Sequence, residues 1–510
     1  MPVEDNVANA NFYAAIAARS PDAEKVLLRD LAGHEYSFGD MERESARMAA
    51  LLRRLGLQPG DRVSVQVEKS VTNLWLYLGV LRAGLVYHPL NTAYALDEMQ
   101  YFLSNAEPSL LVCDPSKLDT YSQLCAEVGT PHLMTLDANG EGSLQEQYRQ
   151  SEPDVDIELR TDDDLAVLLY SSGTTGRPKG IMLTHKNLRS NAEVLVESWG
   201  FTQQDVLLHA LPIYHVHGLF VGIHCVLMSG ASMHWLPKLE VNKVRELLPL
   251  STVMMGVPTY YTRLLAEASF GRADCQNMRL FVSGSAPLLE ETFASFAERT
   301  GHTILERYGM SETGMNCSNP LIGERRAGTV GFPLPGVEIR VCDLQHHPVS
   351  VGQIGEIEVR GPNVFKGYWR MPEKTAQDFT EDQWFVTGDQ GRIDDRGYLS
   401  IVGRSKDMVI TGGLNVYPKE VELVLNELPG VQESAVFGVP HPDFGEAVVA
   451  AIVPLADAHL DEGSIKILLK DKLASFKVPK TIQVVASLPR NAMGKVQKKL
   501  LREQWNAPFS

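Results

Sequence analysis

Val63, Val65 and Val67 alternate as a strand, an apolar helix-length run follows from Val71 to Ala83, and Leu85 to His88 is a second short apolar strand. Two strands joined by one helix limit the possible folds more than anything else in the chain. Parallel strands need such a crossover, so the unit predicts α/β layers over a largely parallel sheet. The rhythm returns at Val253 to Val257, Leu280 to Val282 and Thr303 to Leu305, each a predicted strand followed by a turn or helix. Ser37 and Asp40 form a capping-box pattern, and Met41, Met48, Leu51, Leu52 and Leu55 recur at helical spacing until Gly56, which predicts a helix over 41–55. From Gly331 the texture changes. Val337 to Val341, Glu356 to Val359 and Tyr398 to Val402 alternate between Gly and Pro turns, as small β-sheets do. Beyond Arg404-Ser405-Lys406 comes a compact tail with predicted helices at 418–428 and 463–473 and strands at 434–439 and 447–453. The domain boundary is expected at Arg404 to Lys406, separating residues 1–404 from 405–510.

A chain of 510 residues exceeds one ordinary core, in line with two or more domains. Its formal charge of −16 argues against a nucleic-acid surface, so any phosphate chemistry must use local positive charge against an acidic whole. The six cysteines include no CxxC pair, which suits core thiols in a reducing compartment better than zinc or disulfides. Met1 to Asp5 has no basic region or apolar core of signal type, and Arg82 and Pro89 interrupt the longest apolar stretch. A cytoplasmic location with no membrane span is the expectation.

The stretch Tyr170-Ser171-Ser172-Gly173-Thr174-Thr175-Gly176-Arg177-Pro178-Lys179-Gly180 concentrates hydroxyls, glycines and positive charge between two predicted strands, 165–170 and 181–183. Glycines let backbone N–H groups turn toward an anion, and the hydroxyls and cations add donors and charge. Pro178 separates Gly176 and Arg177 from Lys179, so this is not a Walker loop. Standing alone, the stretch also reads as a solvated hairpin loop.

Four further stretches accompany it. Ser283-Gly-Ser-Ala-Pro287 and Tyr308-Gly-Met-Ser-Glu312-Thr each follow a predicted strand, Thr387-Gly-Asp389 follows an aromatic one, and Lys495 ends Pro489-Arg-Asn-Ala-Met-Gly-Lys495. In this order and at these separations they resemble the acyl-adenylate-forming family, from about Ser37 to Leu501. The resemblance implies a large N-terminal domain of three subdomains, with a β-rich part, and a small mobile α+β C-terminal domain. It implies a carboxylate attacking the α-phosphate of ATP with Mg²⁺, giving acyl-AMP and pyrophosphate, followed by coenzyme A attacking the acyl carbon.

By the same resemblance Ser171, Ser172, Gly173, Thr174, Thr175, Gly176 and Lys179 hold the phosphates. Thr174 and Glu312 lie at the metal, where one carboxylate plus phosphate oxygens is an ordinary magnesium site. Gly284, Ser285, Ala286 and Tyr308 face the adenine, and Asp389 and Arg404 bond the ribose. Lys495 is the adenylation lysine, Lys406 the hinge, His215 the gate to the thiol tunnel, and Gly412, Gly413 and Leu414 the face toward coenzyme A. A lysine acetyltransferase acting on Lys495 would remove its charge and switch the enzyme off.

Glu306-Arg307 precedes Tyr308, and Arg263 stands in Pro258-Thr-Tyr-Tyr-Thr-Arg263-Leu. Two arginines near the acyl end point to a second carboxylate on the acid, since guanidinium suits bidentate carboxylate recognition. Leu211-Pro-Ile-Tyr-His-Val-His-Gly-Leu219, Leu305-Glu-Arg-Tyr-Gly-Met310 and Gly361-Pro-Asn-Val-Phe-Lys-Gly-Tyr-Trp-Arg-Met-Pro-Glu-Lys374 resemble the malonyl-CoA synthetases of that family, and the likeness adds Ser283 to the distal carboxylate. Methylmalonate, another short-chain acid, a carrier-protein thiol acceptor, and a non-catalytic nucleotide-binding regulator are the alternatives. An Arg307 that only pairs with Glu306 or Glu312 is the bland reading of that residue. Lys495→Ala should lower pyrophosphate exchange by about 10²–10³, as for a lost transition-state donor, while thioester formation from preformed acyl-AMP survives. Equal loss of both half-reactions would contradict the assignment.

Overall fold

A computed structural model describes residues 9–171, 178–411, 414–441, 444–456, 458, 460–473, 475–491 and 494–505. The chain divides into two compact units. One comprises residues 1–327, 331–338 and 360–379, and the other residues 328–330, 339–359 and 380–510. The expected boundary at Arg404 to Lys406 falls within the second unit, where the 3₁₀ turn Ser405–Asp407 follows strand Leu399–Arg404.

The first unit holds two sheets. In the seven-stranded one, Arg62–Gln66 lies between Val86–Pro89 and Leu110–Cys113, parallel to both, with helix Val71–Arg82 as the first crossover. Leu165–Ser171 extends this sheet and pairs antiparallel with Lys179–Thr184, so the Gly/Ser/Thr stretch does join two strands. Helix Phe38–Arg54 starts at the foreseen capping box: the Asp40 amide donates to Ser37 Oγ at 3.1 Å and the Ser37 amide to Asp40 Oδ2 at 2.8 Å. It packs against Val71–Arg82 so closely that a Cβ on Gly79 would lie 2.6 Å from Met48 Cβ.

In the nine-stranded sheet Val206–His209 lies parallel between Val253–Gly256 and Ser232–Trp235, and Leu280–Ser283 and Leu305–Met310 continue it. Here the structure corrects the sequence reading. The strand expected at Thr303 to Leu305 runs instead over Leu305–Met310, so Glu306, Arg307 and Tyr308 are strand residues and Tyr308-Gly309 does not follow the strand. Pairing on both sides buries Glu306 and Arg307, and sheet position overrides their polarity. Likewise Thr387-Gly-Asp389 lies within Phe385–Ile393 rather than after it. The π-helix His217–Ile223 was not anticipated.

The second unit holds the small antiparallel sheet Glu338–Cys342, Gly355–Arg360, Phe385–Ile393 and Leu399–Arg404, whose first and last-but-two strands begin or end at the division. Its other sheet pairs Val431–His441 with Gly445–Pro454 beneath helices Pro418–Asn426 and Glu462–Lys472. All six cysteines are buried thiols. Among the described residues no helix is long and apolar enough to cross a membrane. Gly79→Val adds a branched side chain where Met48 already stands. Overpacking of this kind costs about 1–3 kcal/mol, so the thermal midpoint should fall by calorimetry without loss of far-UV helix signal.

Candidate active site

Strand ends and the loops beyond them gather the polar groups of the first unit. Leu280–Ser283 and Leu305–Met310 are adjacent and parallel, with Ser283 beside Glu306 in register. Side chains alternate along a strand, so neighbours Glu306 and Arg307 turn to opposite faces. Glu306 Oε1 accepts the Leu288 amide at 3.2 Å. The Arg307 guanidinium instead lies against Gly284, where a Cβ would come within 2.4 Å of Cζ, so a side chain at 284 would displace the guanidinium. Arg307 is 4% exposed, and its Nε and Nη2 are buried with no hydrogen-bond partner. No carboxylate among the described residues pairs with it, which removes the bland reading through Glu306 or Glu312. Burial pushes its pKa down to about 10 against a slight opposing pull from Tyr261.

Two further orphaned atoms share this corner. Ser283 is fully buried and its Oγ has no partner; His217, also buried, has none at Nε2. Nδ1 of His217 lies 3.4 Å from Ser285 Oγ, and Ser285 holds a φ of 69°, a left-handed conformation that a serine adopts at a cost. Burial first, then Arg307, His215 and His209, push the His217 pKa well down, so its ring is neutral near pH 7. Buried polar groups are nearly always satisfied. Orphaned donors on Arg307, Ser283 and the His217 ring, gathered around Gly284, form a site shaped for an anionic ligand. Arg263 differs from these groups in its exposure. It is exposed on helix Pro258–Ala266, unlike Arg307. His215 is half-buried beside Tyr214.

A second cluster lies where Lys179–Thr184 pairs with Gly367–Tyr368. Lys179 Nζ stands 4.1 Å from the Tyr368 ring centroid and 3.7 Å from Asp378 Oδ2. Burial, and then the nearby Glu312 and Asp378 carboxylates, raise the Tyr368 pKa far above the usual phenol value. Glu312 is 8% exposed, and Phe365 N–H donates to its carbonyl at 2.8 Å. Among the described residues no group of three metal-ligating side chains occurs. One hard carboxylate fits a magnesium ion that takes its other oxygens from phosphate and water. Residues 172–177, including Thr174 and Thr175, and the side chain of Ser171 lie outside the described residues, as do Gly412 and Gly413.

In the second unit Asp389 and Arg404 face each other across Phe385–Ile393 and Leu399–Arg404, with Arg404 Nε 2.7 Å from Asp389 Oδ1. Gly388 at φ 71° lets the chain turn so that the Asp389 amide donates to Thr387 Oγ1 at 3.0 Å. Lys406 is exposed on the 3₁₀ turn, between Ser405, whose Oγ meets Gln390 and Glu356, and Asp407, paired with Arg502 at 3.0 Å. Lys495 is exposed on a tight turn closed by the Arg490 to Val496 bridge, and its amide donates to Asn491 Oδ1 at 2.9 Å. Its neighbour Lys498 is engaged by Glu422 at 2.7 Å, so the two lysines do not form one solvated patch. Leu414 is 48% exposed.

The sequence reading missed His217, Tyr261, Tyr368 and Asp378. The spacing of His215 and His217 was visible, but only burial distinguishes the two rings.

The chain belongs to the AMP-binding enzyme family: residues 13–369 match AMP-binding enzyme and residues 420–495 the AMP-binding enzyme C-terminal domain. It is 35% identical to a malonate–CoA ligase of Arabidopsis thaliana, covering 96% of this chain and 88% of that one. It is 34% identical to the mitochondrial malonate–CoA ligase ACSF3 of Homo sapiens, over 96% and 93%. The crystal structure of ATP-bound MatB from Rhodopseudomonas palustris superposes with a TM-score of 0.95 at 51% identity, covering 97% of this chain and 98% of that one.

A buried charge left without a partner is costly to fold, and an apolar group of similar length removes that cost. Arg307→Leu should therefore raise the thermal midpoint of the ligand-free protein while removing the further rise that a small dicarboxylate gives the parent.

Proposed function

We propose that this enzyme activates malonate with ATP to malonyl-AMP and then transfers the malonyl group to coenzyme A, releasing AMP. The observation that carries the choice of acid is Arg307, a buried guanidinium with unsatisfied N–H groups and, among the described residues, no paired carboxylate. A monoacid leaves that cation unpaired when its single carboxylate goes to the α-phosphate. A diacid supplies the missing partner at its far end, with Ser283 Oγ–H and the neutral His217 ring as further donors. The Arabidopsis and human relatives, both malonate–CoA ligases, support the same acid.

The remaining roles follow the chemistry of adenylation. Lys179, with the hydroxyl loop before it, holds the terminal phosphates, and its side chain exchanges Asp378 for them when nucleotide enters. Glu312 would hold Mg²⁺, which when bound neutralises phosphate charge and orients the oxygens. Tyr308 and the Gly284 to Ala286 edge seat the adenine; Asp389 and Arg404 bond the ribose. Lys495 neutralises the α-phosphate and the attacking carboxylate oxygen as charge develops between them, a task of positioning and electrostatics. Rotation about Lys406 withdraws Lys495 after the first half-reaction and presents the Gly412, Gly413 and Leu414 stretch to coenzyme A, with His215 at the thiol's entry. Residues 1–404 and 405–510 are then the two moving parts. An exposed Lys495 suits an acetyltransferase, and a cytoplasmic location completes the reading.

AMP release in a panel of small acids with ATP and coenzyme A tests it. Malonate should exceed acetate by about a hundredfold or more in kcat/KM, because a buried arginine without its carboxylate costs about 3–5 kcal/mol. Arg307→Ala should erase that preference. Malonate turnover unchanged in Arg307→Ala would sink the dicarboxylate assignment.

A further inference from the structure

Lys69 stands in the turn between strand Arg62–Gln66 and helix Val71–Arg82, in a sequence, Glu68-Lys69-Ser70, that reads as ordinary solvated surface. It is instead 7% exposed. Its Nζ lies 2.7 Å from His209 Nδ1, 2.6 Å from the Leu236 carbonyl, 3.0 Å from that of His209 and 3.1 Å from that of Leu211. It also sits 4.3 Å from the Trp235 ring centroid, and that ring stacks on His209. No carboxylate among the described residues pairs with it. A lysine that follows a strand of one sheet is thereby tied to the carboxyl ends of two adjacent strands of the other.

The hydrogen-bond partners assign the protons. His209 Nε2 lies 2.9 Å from the Gly218 carbonyl, which can only accept, so Nε2 carries the hydrogen and Nδ1 is bare. Lys69 must therefore donate to Nδ1. Burial pulls its pKa down, yet three carbonyls and an imidazole lone pair surround it and no donor does, which favours the ammonium form. Gly218 is the second residue of the π-helix His217–Ile223, and such helices often mark functional sites. The fit beneath it is close: a Cβ on Gly218 would lie 2.0 Å from the Pro212 carbonyl oxygen, and one on Gly222 3.1 Å from His209 Cδ2. His209 thus holds, by one hydrogen bond and close packing, the turn that carries His217, whose Nδ1 lies 3.4 Å from Ser285 Oγ.

We propose that Lys69 and His209 are positioning residues for acid recognition, setting where the His217 ring meets the far carboxylate. This rests on the reading of Arg307 as the carboxylate partner. Steady-state kinetics on the full-length enzyme test it with Lys69→Met, His209→Gln and His209→Asn. Gln can still present an N–H to the Gly218 carbonyl; Asn is too short to reach it. Lys69→Met and His209→Asn should each raise KM for malonate about tenfold or more with KM for ATP nearly unchanged, and His209→Gln should stay within about threefold of the parent. A lower thermal midpoint with unchanged KM for both substrates in all three variants would overturn the proposal. Should Lys69→Met fail to fold, the contrast between His209→Gln and His209→Asn decides alone, and equal KM values in that pair would refute it. A parent enzyme that prefers a monoacid would instead refute the Arg307 reading, and the same KM comparison is then made with that acid.

Discussion

An arginine buried in a sheet without a counter-charge is the constraint around which the first unit is arranged. Taking a guanidinium out of water costs several kcal/mol, and hydrogen bonds within the protein would normally offset that cost. At Arg307 they do not. Gly284 leaves the space that the Arg307 Cζ occupies, the Glu306 carboxylate accepts the Leu288 amide, and Ser283 and His217 leave polar atoms of their own unmatched. Such an arrangement is a poor solution for stability and a good one for binding, because the cost is met in the folded chain before the ligand arrives.

The wider architecture keeps that corner rigid while leaving the groups of the second unit on turns and edges. Arg307, Ser283 and His217 come from two strands and a π-helix deep in a parallel sheet. Lys406 and Lys495 are exposed on a 3₁₀ turn and a tight turn. Groups that only recognise are thus on fixed elements, and those assigned to act in one half-reaction only are on elements with few packing constraints. This division matches the chemistry proposed, in which the acid stays in place while its activating lysine leaves.

Much of the fold was legible because local and global signals agree. The capping box at Ser37 and Asp40, the apolar run to Ala83 and the alternating valines each correspond to the element observed, with ends shifted by one to three residues. Misreadings occurred where tertiary pairing overrides polarity: Glu306 and Arg307 look like loop residues yet form a paired strand, and Thr387 to Asp389 look like a turn yet lie within one. The site was legible as motifs but not as a neighbourhood. Arg263 and Arg307 look equivalent in sequence, and only the structure shows that one is exposed and the other buried. Lys69 was invisible, since nothing local reveals that a lysine beside a glutamate and a serine will be enclosed by carbonyls from another sheet.

Ser285 has one more implication. At φ 69° a glycine would sit without steric cost, whereas an L side chain gives up about 1–2 kcal/mol to stay there. Backbone shape alone would therefore select glycine at 285. A hydroxyl kept against the conformational preference of its own residue, 3.4 Å from His217 Nδ1, is a mark of recognition written into the Ramachandran map rather than into any motif.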